Sequence, residues 1–357
     1  MQQYSVGLIG FGLGGSIFHA PMIAAVPGLR LARIASRSAQ AEALGAYPGV
    51  RLDDTPQAML ADPAIALVVV CTPNASHHAL ARAALLSGKH VVVDKPFVLS
   101  SAEGEELLAL ARRRGLRLSV YQNRRWDGDF LTLRRTLESG ELGAVHTFRA
   151  HFDRYAPQVK ARWKEEAQPG AGVLWDLGPH LIDQALQLFG MPRSVTAHLS
   201  VQRDGAQVAD AFELVLDHGA TTSFLHAGAL VRAPGPRYQV HGTHGSFVKY
   251  GIDPQENALK LGMRPGDPGF GSDATQDWAS VTAADGVPRT VETLPGDYVA
   301  FYRGMYEAIA HGAPVPVRPE DALDVVRVIE LALRSQRERR TVDVDPARTI
   351  SAGETMY

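Results

Sequence analysis

The segment Lys89-His90-Val91-Val92-Val93-Asp94-Lys95-Pro96-Phe97 constrains this chain more than any other. Three consecutive β-branched residues favour a strand, and a strand apolar on both faces belongs inside a parallel sheet covered by helices. The run stops at a carboxylate, an ammonium and a proline. Pro96 has no amide hydrogen for a sheet ladder and restricts the residue before it, so it fixes where Lys95 sits. In open α/β sheets, ligands bind beyond the carboxyl ends of the strands, which is where Asp94 and Lys95 fall.

The flanking sequence repeats this pattern. Apolar runs of strand length occur at 4–9, 29–35, 66–71 and 116–120, with helical segments expected at about 16–26, 75–87 and 101–114. Strands of this buried type alternating with helices predict a doubly wound sheet. Its ligand crevice would collect Gly10, Ser36, Thr72, Asp94, Lys95 and Tyr121 from successive strand ends. Pro21 is expected to bend or restart the first helix. His77 and His78 are adjacent and do not share a helix face, so no metal pair is expected there.

The first strand runs into Gly10-Phe11-Gly12-Leu13-Gly14-Gly15, where Gly10, Gly12 and Gly15 satisfy G-x-G-x-x-G between a strand and a helix. Gly10 permits the tight turn, Gly12 lets backbone approach a pyrophosphate, and Gly15 lets helix and strand pack closely. The helix N-terminus offers free amides to the anion. The second strand ends in Ser36-Arg37. A site for NAD usually places an acid there to accept the ribose 2′-hydroxyl, whereas a hydroxyl and a guanidinium suit the 2′-phosphate of NADP. NADP is the expected cofactor, ahead of NAD. The third strand ends in Thr72-Pro73-Asn74, where Asn74 or Ser76 can cap the following helix.

At 357 residues the chain is long for one domain. The strand–helix alternation ends near Asn123, which divides it into a dinucleotide-binding domain, 1–123, and a second domain, 124–357, for substrate binding and oligomerisation. In the second part, alternating segments near 145–152, 195–202, 211–216 and 222–226 imply a large, mostly antiparallel open sheet in an α+β domain. His241-Gly242-Thr243-His244-Gly245 reads as a hairpin turn. Residues 251–295, rich in Gly, Pro and Asp, read as a long loop serving as an interface or lid. Helices near 297–311 and 320–339 close the domain.

Lys and Arg number 36 against 38 Asp and Glu, which argues against binding nucleic acid or an anionic membrane through bulk charge. A single cysteine, Cys71, excludes an intrachain disulfide and suits a reducing compartment. The longest apolar run is too short to span a bilayer. The first strand starts too early for a signal peptide. A cytoplasmic protein is expected.

One further helix stands out, at Trp175-Asp176-Leu177-Gly178-Pro179-His180-Leu181-Ile182-Asp183-Gln184-Ala185-Leu186-Gln187. At 100° per residue, Asp176, His180, Asp183 and Gln187 form a polar stripe opposite an apolar face. A merely solvated face normally carries Lys, Glu or Arg. A carboxylate one turn from an imidazole instead suits a general acid/base, because it holds the ring's tautomer and tunes its proton affinity.

With these residues in hand, the chain resembles the Gfo/Idh/MocA family of sugar and polyol dehydrogenases over essentially its whole length. The glycine loop, Asp94-Lys95-Pro96 and Asp176-Leu177-Gly178-Pro179-His180 match that family's three motifs in order. Tyr121-Gln122-Asn123-Arg124-Arg125-Trp126-Asp127 and Pro236-Arg237-Tyr238-Gln239-Val240-His241-Gly242 are similar to its NADP-dependent scyllo-inositol dehydrogenase branch.

The resemblance implies that Lys95 hydrogen-bonds the reacting hydroxyl, that His180 exchanges its proton, and that Asp176 orients or tunes the site. It places Arg162 and Trp163 near the nicotinamide. Tyr121, Asn123, Arg124, Tyr155 and Trp163 would line the polyol pocket. Phe11, Thr72, Pro73, Asn74, His77, Asp94 and Asn123 would join the glycines at the cofactor. The family usually has Glu before the Lys-Pro pair; Asp94 keeps the charge with a shorter reach. The Lys95-Pro96 bond would be cis, and a homodimer or homotetramer is implied. Two rival activities exist within such a fold: a sensor of sugar or cofactor without turnover, and an NAD-dependent glycosidase. The sensor would lack the Lys-Pro or Asp…His residues that this chain retains. The glycosidase would carry an acid where this chain has Ser36-Arg37.

Overall fold

Two runs of three valines, Val68 to Val70 and Val91 to Val93, are fully buried in the computed structural model, which describes residues 2–37 and 40–345. Each such side chain contributes roughly 1.5–3 kcal/mol by leaving water. They sit in adjacent strands of a six-stranded sheet formed by β1 (Tyr4–Ile9), β2 (Leu29–Ala35), β3 (Arg51–Asp53), β4 (Ile65–Val70), β5 (His90–Val93) and β6 (Leu118–Val120). The order is β3-β2-β1-β4-β5-β6 and every pairing is parallel. The strand order reverses at β1, between β2 and β4, so the glycine loop leaves the sheet at its topological switch point.

The first crossover departs from a single regular helix. Gly14–His19 winds as a π-helix, and Ala20–Ala24 then continues as an α-helix with Pro21 in its first turn. Proline in a helix interior would block one backbone bond, and a change of helix type places it at a start instead. The segment after β4 begins as a 3₁₀ turn, Asn74–Ser76, before the α-helix His77–Leu86. Ser76 occupies the cap position, but its hydroxyl donates to Pro73 O at 2.7 Å rather than accepting from the helix. The helix Ser101–Arg114 is capped by Ser100, whose Oγ accepts from Glu103 N at 3.3 Å, and stops at Gly115 in the left-handed region, φ 64°.

The second sheet has nine strands: β7 (Val145–His151), β8 (Ser194–Ser200), β9 (Ala211–Asp217), β10 (Thr222–Gly228), β11 (Tyr238–Gly242), β12 (Ser246–Lys249), β13 (Ala279–Thr282), β14 (Pro288–Val291) and β15 (Val342–Asp343). Their order is β14-β13-β12-β11-β7-β10-β9-β8-β15. All neighbours are antiparallel except β7 and β10. The helix Gly178–Phe189 lies against β7 and β10, burying Leu181, Ile182, Ala185 and Leu188.

Residues 251–295 are not one long loop. They hold a helix, Gln255–Lys260, the strand β13 and the edge strand β14. Three of the four residues of β14 are exposed, so it carries no apolar alternation for a sequence reading to detect.

The chain divides into two compact units. The first holds residues 1–123, 254–271 and 297–323, and the second 124–253, 272–296 and 324 onward. A division after Asn123 alone omits both returns of the chain to the first unit. Of the expected second domain, residues 346–357 lie outside the described residues. No helix of the described residues is long and apolar enough to cross a membrane.

Candidate active site

In the first unit, the loop after β1 has the form a dinucleotide needs. Gly10 sits at φ 96°, and a Cβ there would lie 2.0 Å from Cys71 O. A Cβ on Gly15 would lie 2.2 Å from Gly10 O, so the helix approaches the strand more closely than any side chain permits. Gly12 is exposed with nothing within 4 Å of its Cβ position, which leaves open space for a phosphate against bare backbone. This cradle fits the pyrophosphate of NAD(P). Phe11, expected at the cofactor, turns its ring inward instead, 2% exposed and edge-on to Tyr47, so only its backbone faces the loop.

At the end of β2, Ser36 is half-buried and Arg37 exposed. The acid in register beside this end is Asp53, paired with Ala35 across β2 and β3. Its two oxygens accept from Arg33 Nε at 2.7 Å and Nη2 at 2.5 Å, so that carboxylate is engaged away from any ribose.

Beyond β4, Thr72 Oγ1 and Ser76 Oγ lie 2.6 Å apart, Pro73 is exposed and Asn74 is buried. His77, expected at the cofactor, has both ring nitrogens on backbone carbonyls. Its Nδ1 meets Pro96 O at 2.8 Å and its Nε2 meets Thr72 O at 2.9 Å, tying the ends of β4 and β5 together. With 1% exposure the ring presents nothing to a ligand, and its burial lowers its proton affinity.

Beyond β5, the Lys95-Pro96 bond is cis and Lys95 is half-buried. Asp94 Oδ1 accepts from Lys95 N at 2.7 Å. Asp94 Oδ2 accepts from Cys71 Sγ at 3.2 Å and lies 3.7 Å from His19 Nε2. Burial works to raise the carboxyl pKa, but His19, Lys95 and His77 outweigh it and hold the group well below the usual carboxylate range. The buried His19 ring, for which the sequence offers no signal, therefore helps to keep the Asp94 carboxylate ionised. Its other nitrogen meets Tyr302 Oη at 2.6 Å. Tyr121, expected in the ligand crevice, is 2% exposed, donates to Phe18 O at 2.9 Å and packs against His19, Phe301 and Tyr302. It supports the site from within the core. Asn123 is buried at the start of a 3₁₀ turn.

In the second unit, the presumed single helix is two. Val173–Asp176 ends at Leu177, and Gly178–Phe189 begins a new helix with Pro179 in its first turn. The stripe is not a solvated face: His180 and Asp183 are buried at 5% and 2% exposure, Asp176 and Gln187 are half-buried, and the neighbouring Gln184 is fully buried. Asp183 accepts from Arg125 Nε at 2.8 Å and Nη2 at 2.7 Å. Gln184 Oε1 accepts from Arg237 Nη2 and Tyr238 Oη. Asp176 lies 2.5 Å from Lys164 Nζ, a partner that sequence spacing does not reveal.

The His180 ring is stacked on Phe152, centroids 6.4 Å apart, and the Arg124 guanidinium sits 4.7 Å from the same ring. Arg124 also donates to Asp127 at 3.2 Å. Arg162 is exposed and donates to Glu165 at 2.8 Å, and Trp163 is half-buried beside it. Tyr155 is exposed beneath the Arg232 guanidinium, 3.8 Å from the ring centre.

A strand, a bare glycine loop at the switch point and a lysine beyond another strand of the same parallel sheet define an α/β enzyme that binds a dinucleotide. The family description for an oxidoreductase NAD-binding Rossmann fold matches residues 4–122, and that for the same family's C-terminal alpha/beta domain matches residues 134–344. The chain belongs to the Gfo/Idh/MocA oxidoreductase family. It is 42% identical to scyllo-inositol 2-dehydrogenase (NADP(+)) IolW of Bacillus subtilis over 94% of this chain and 95% of that one. It is 45% identical to YdgJ, an uncharacterized oxidoreductase of Escherichia coli, over 94% and 97% of the two chains. Among solved structures, yvaA of Bacillus subtilis superposes with a TM-score of 0.94 at 40% identity, covering 96% of this chain and 99% of that one.

Proposed function

We propose that the protein is an NADP-dependent dehydrogenase or reductase of a cyclic polyol, with scyllo-inositol and its inosose as the favoured pair. The observation that carries this reading is the near full-length likeness to the Bacillus subtilis enzyme of that activity. The end of β2 supports the cofactor choice. Asp53 is engaged by Arg33, while Ser36 and Arg37 offer a hydroxyl and a guanidinium suited to a 2′-phosphate.

Residues 1–123 would serve the cofactor, and residues 124–357 substrate binding and assembly into a homodimer or homotetramer. Gly10, Gly12 and Gly15 would hold the pyrophosphate, with Thr72, Pro73 and Asn74 alongside. Bound NADP supplies hydride exchange at the reacting carbon. The chain's own residues handle the oxygen. Lys95 donates a hydrogen bond to the reacting hydroxyl, and His180 takes its proton in oxidation and returns it in reduction. Asp94, kept ionised, places a fixed negative charge beside Lys95. Asp176, bridged to Lys164, orients the catalytic groups of the second unit. Arg162 and Trp163 serve the nicotinamide side, and Arg124, Tyr155 and Asn123 the polyol hydroxyls.

The test is growth of the reduced-nicotinamide absorbance with purified protein, NADP and a panel of inositols and aldoses, repeated with NAD. Growth with NADP and an inositol supports the reading. Growth with NAD alone overturns the cofactor, and nucleotide binding without turnover on any polyol or keto sugar overturns the activity.

A further inference from the structure

A second cluster of ligand-bearing side chains lies in the nine-stranded sheet, on residues to which the proposed reaction gives no role. His151 ends β7, and His226 is its register partner on the parallel strand β10. Asp153 follows two residues after His151. The two imidazole centroids are 5.4 Å apart. His226 Nδ1 lies 2.6 Å from Asp153 Oδ1, and His151 Nδ1 lies 3.3 Å from Asp153 Oδ2. One nitrogen or oxygen from each residue falls within 4.8 Å of the others.

Proximity alone would describe an ordinary ion pair, but the hydrogen bonding argues otherwise. The Asp153 side chain is 3% exposed, yet its Oδ1 has no hydrogen-bond partner, and neither has the adjacent Nδ1 of His226. A buried oxygen and nitrogen in contact but out of line for an N–H···O bond are left needing a third partner, and an unmade bond at such depth is costly. The opposite nitrogen of His226, Nε2, lies 3.7 Å from Glu213 Oε1, and Glu213 is its register partner on β9. Glu213 is not hydrogen-bonded to the ring at this distance, but its charge favours a proton on Nε2, the tautomer that leaves Nδ1 free as a metal ligand.

We propose that His151 Nδ1, Asp153 and His226 Nδ1 bind a divalent transition ion of the zinc class, with Glu213 favouring that tautomer of His226. Two imidazoles and one carboxylate form a donor set that such ions favour over magnesium or calcium. His151 and His226 are 29% and 19% exposed at their side chains, which gives the ion a route in and leaves coordination positions for water. Phe152, between His151 and Asp153 in sequence, is the ring stacked on His180. The ion would clamp β7 to β10 directly behind that ring. Its role is structural: it holds Phe152, and through it His180, in place. The other cluster of suitable groups, His19, Cys71 and Asp94, is bonded within itself and to Tyr302 at the cofactor end of the first sheet.

The test is titration of the chelator-treated full chain with Zn²⁺ against a chromophoric chelator, with Co²⁺ as a spectroscopic substitute. One equivalent bound with a Kd in the micromolar range or below is expected, together with visible Co²⁺ bands of a nitrogen-containing site. His226→Ala and His151→Gln should each weaken binding at least a hundredfold, and Glu213→Gln about tenfold. Cys71→Ser should leave the stoichiometry and Kd unchanged. His151→Gln changes the more exposed of the two histidines, and circular dichroism of each variant verifies that it is folded. Absence of saturable binding below about 100 μM, or equal binding by the wild type and His151→Gln, would overturn the proposal. So would loss of the bound ion in Cys71→Ser.

Discussion

Lys164 Nζ and Asp176 Oδ1 lie 2.5 Å apart, joining a 3₁₀ turn to the last residue of the short helix before Leu177. The Asp176 charge is thus met by an ammonium from outside its own helix. Sequence periodicity ties Asp176 to His180 instead, because it treats 175–190 as one helix. Lys164 is about a third exposed, so solvent screens part of the interaction. Lys164→Met should lower kcat about tenfold with little change in KM, the lower end of what a charged hydrogen bond contributes. Steady-state kinetics on the inositol substrate checks this, and an unchanged kcat would show that Asp176 needs no partner.

The assignment of the proton chemistry rests on Lys95 and His180. Lys95→Met and His180→Asn should each reduce kcat a hundredfold or more, with unfolding midpoints close to wild type for the half-exposed lysine. Near-normal turnover in both variants would remove these residues from the mechanism.

Asp183 belongs to the same sequence stripe but has a different task. Its carboxylate is held at both oxygens by Arg125, and both side chains are at least nine-tenths buried. Removing one partner leaves a buried charge without compensation. Asp183→Ala should therefore destabilise the protein by about 3–5 kcal/mol. The double variant Asp183→Leu with Arg125→Met should recover much of that loss, since a well-packed apolar pair often replaces a buried ion pair without penalty. Urea unfolding of the three proteins measures both effects.

The two stripe carboxylates show where sequence reading succeeds and where it stops. The valine runs, the glycine loop and the Asp94-Lys95-Pro96 stop are local signals, and the parallel sheet follows from them because a strand apolar on both faces has few places to go. Long-range partners are not local. Nothing in the spacing reveals that Lys164 meets Asp176, that Arg125 occupies Asp183, or that His19 helps to keep Asp94 ionised. Tyr121 is expected at a ligand because it follows a strand end, and His77 because the resemblance implies it, yet strand-end loops also need internal supports, and both side chains supply them. The edge strand Pro288–Val291 escaped notice for a related reason: an exposed edge needs no apolar alternation.

The cofactor prediction concerns Arg37. It is exposed at the end of β2 with Asp53 held by Arg33, so a 2′-phosphate would find a guanidinium there and a 2′-hydroxyl would find Asp53 already engaged. Arg37→Ala should raise KM for NADP tenfold or more, in line with roughly 1.5–3 kcal/mol for a charged hydrogen bond, and leave KM for NAD within about twofold. Equal effects on both cofactors would mean that Arg37 acts on the fold of the loop and not on the phosphate.

The last prediction is a pH dependence of stability from His218. Burial pushes this imidazole down to about 4 from an ordinary 6.5, against weaker upward influences from the Gly190 backbone and Asp217. Its ring lies 5.6 Å from that of Phe189, and its Nε2 meets Ser223 Oγ at 3.0 Å. Between pH 6.5 and 4 the unfolded chain binds a proton that the folded protein refuses. Stability therefore falls as pH drops through that window and levels off below it, by on the order of 3 kcal/mol for this residue. Burial also depresses His77 and His90, so the wild-type slope alone does not isolate His218. His218→Phe keeps the aromatic contact and removes the titration. Urea unfolding at pH 7 and pH 4.5 should then show the variant losing about 2–3 kcal/mol less than wild type on acidification. Equal losses in the two proteins would mean that His218 accepts its proton in the fold as readily as in the unfolded chain, and that its burial is relieved by water.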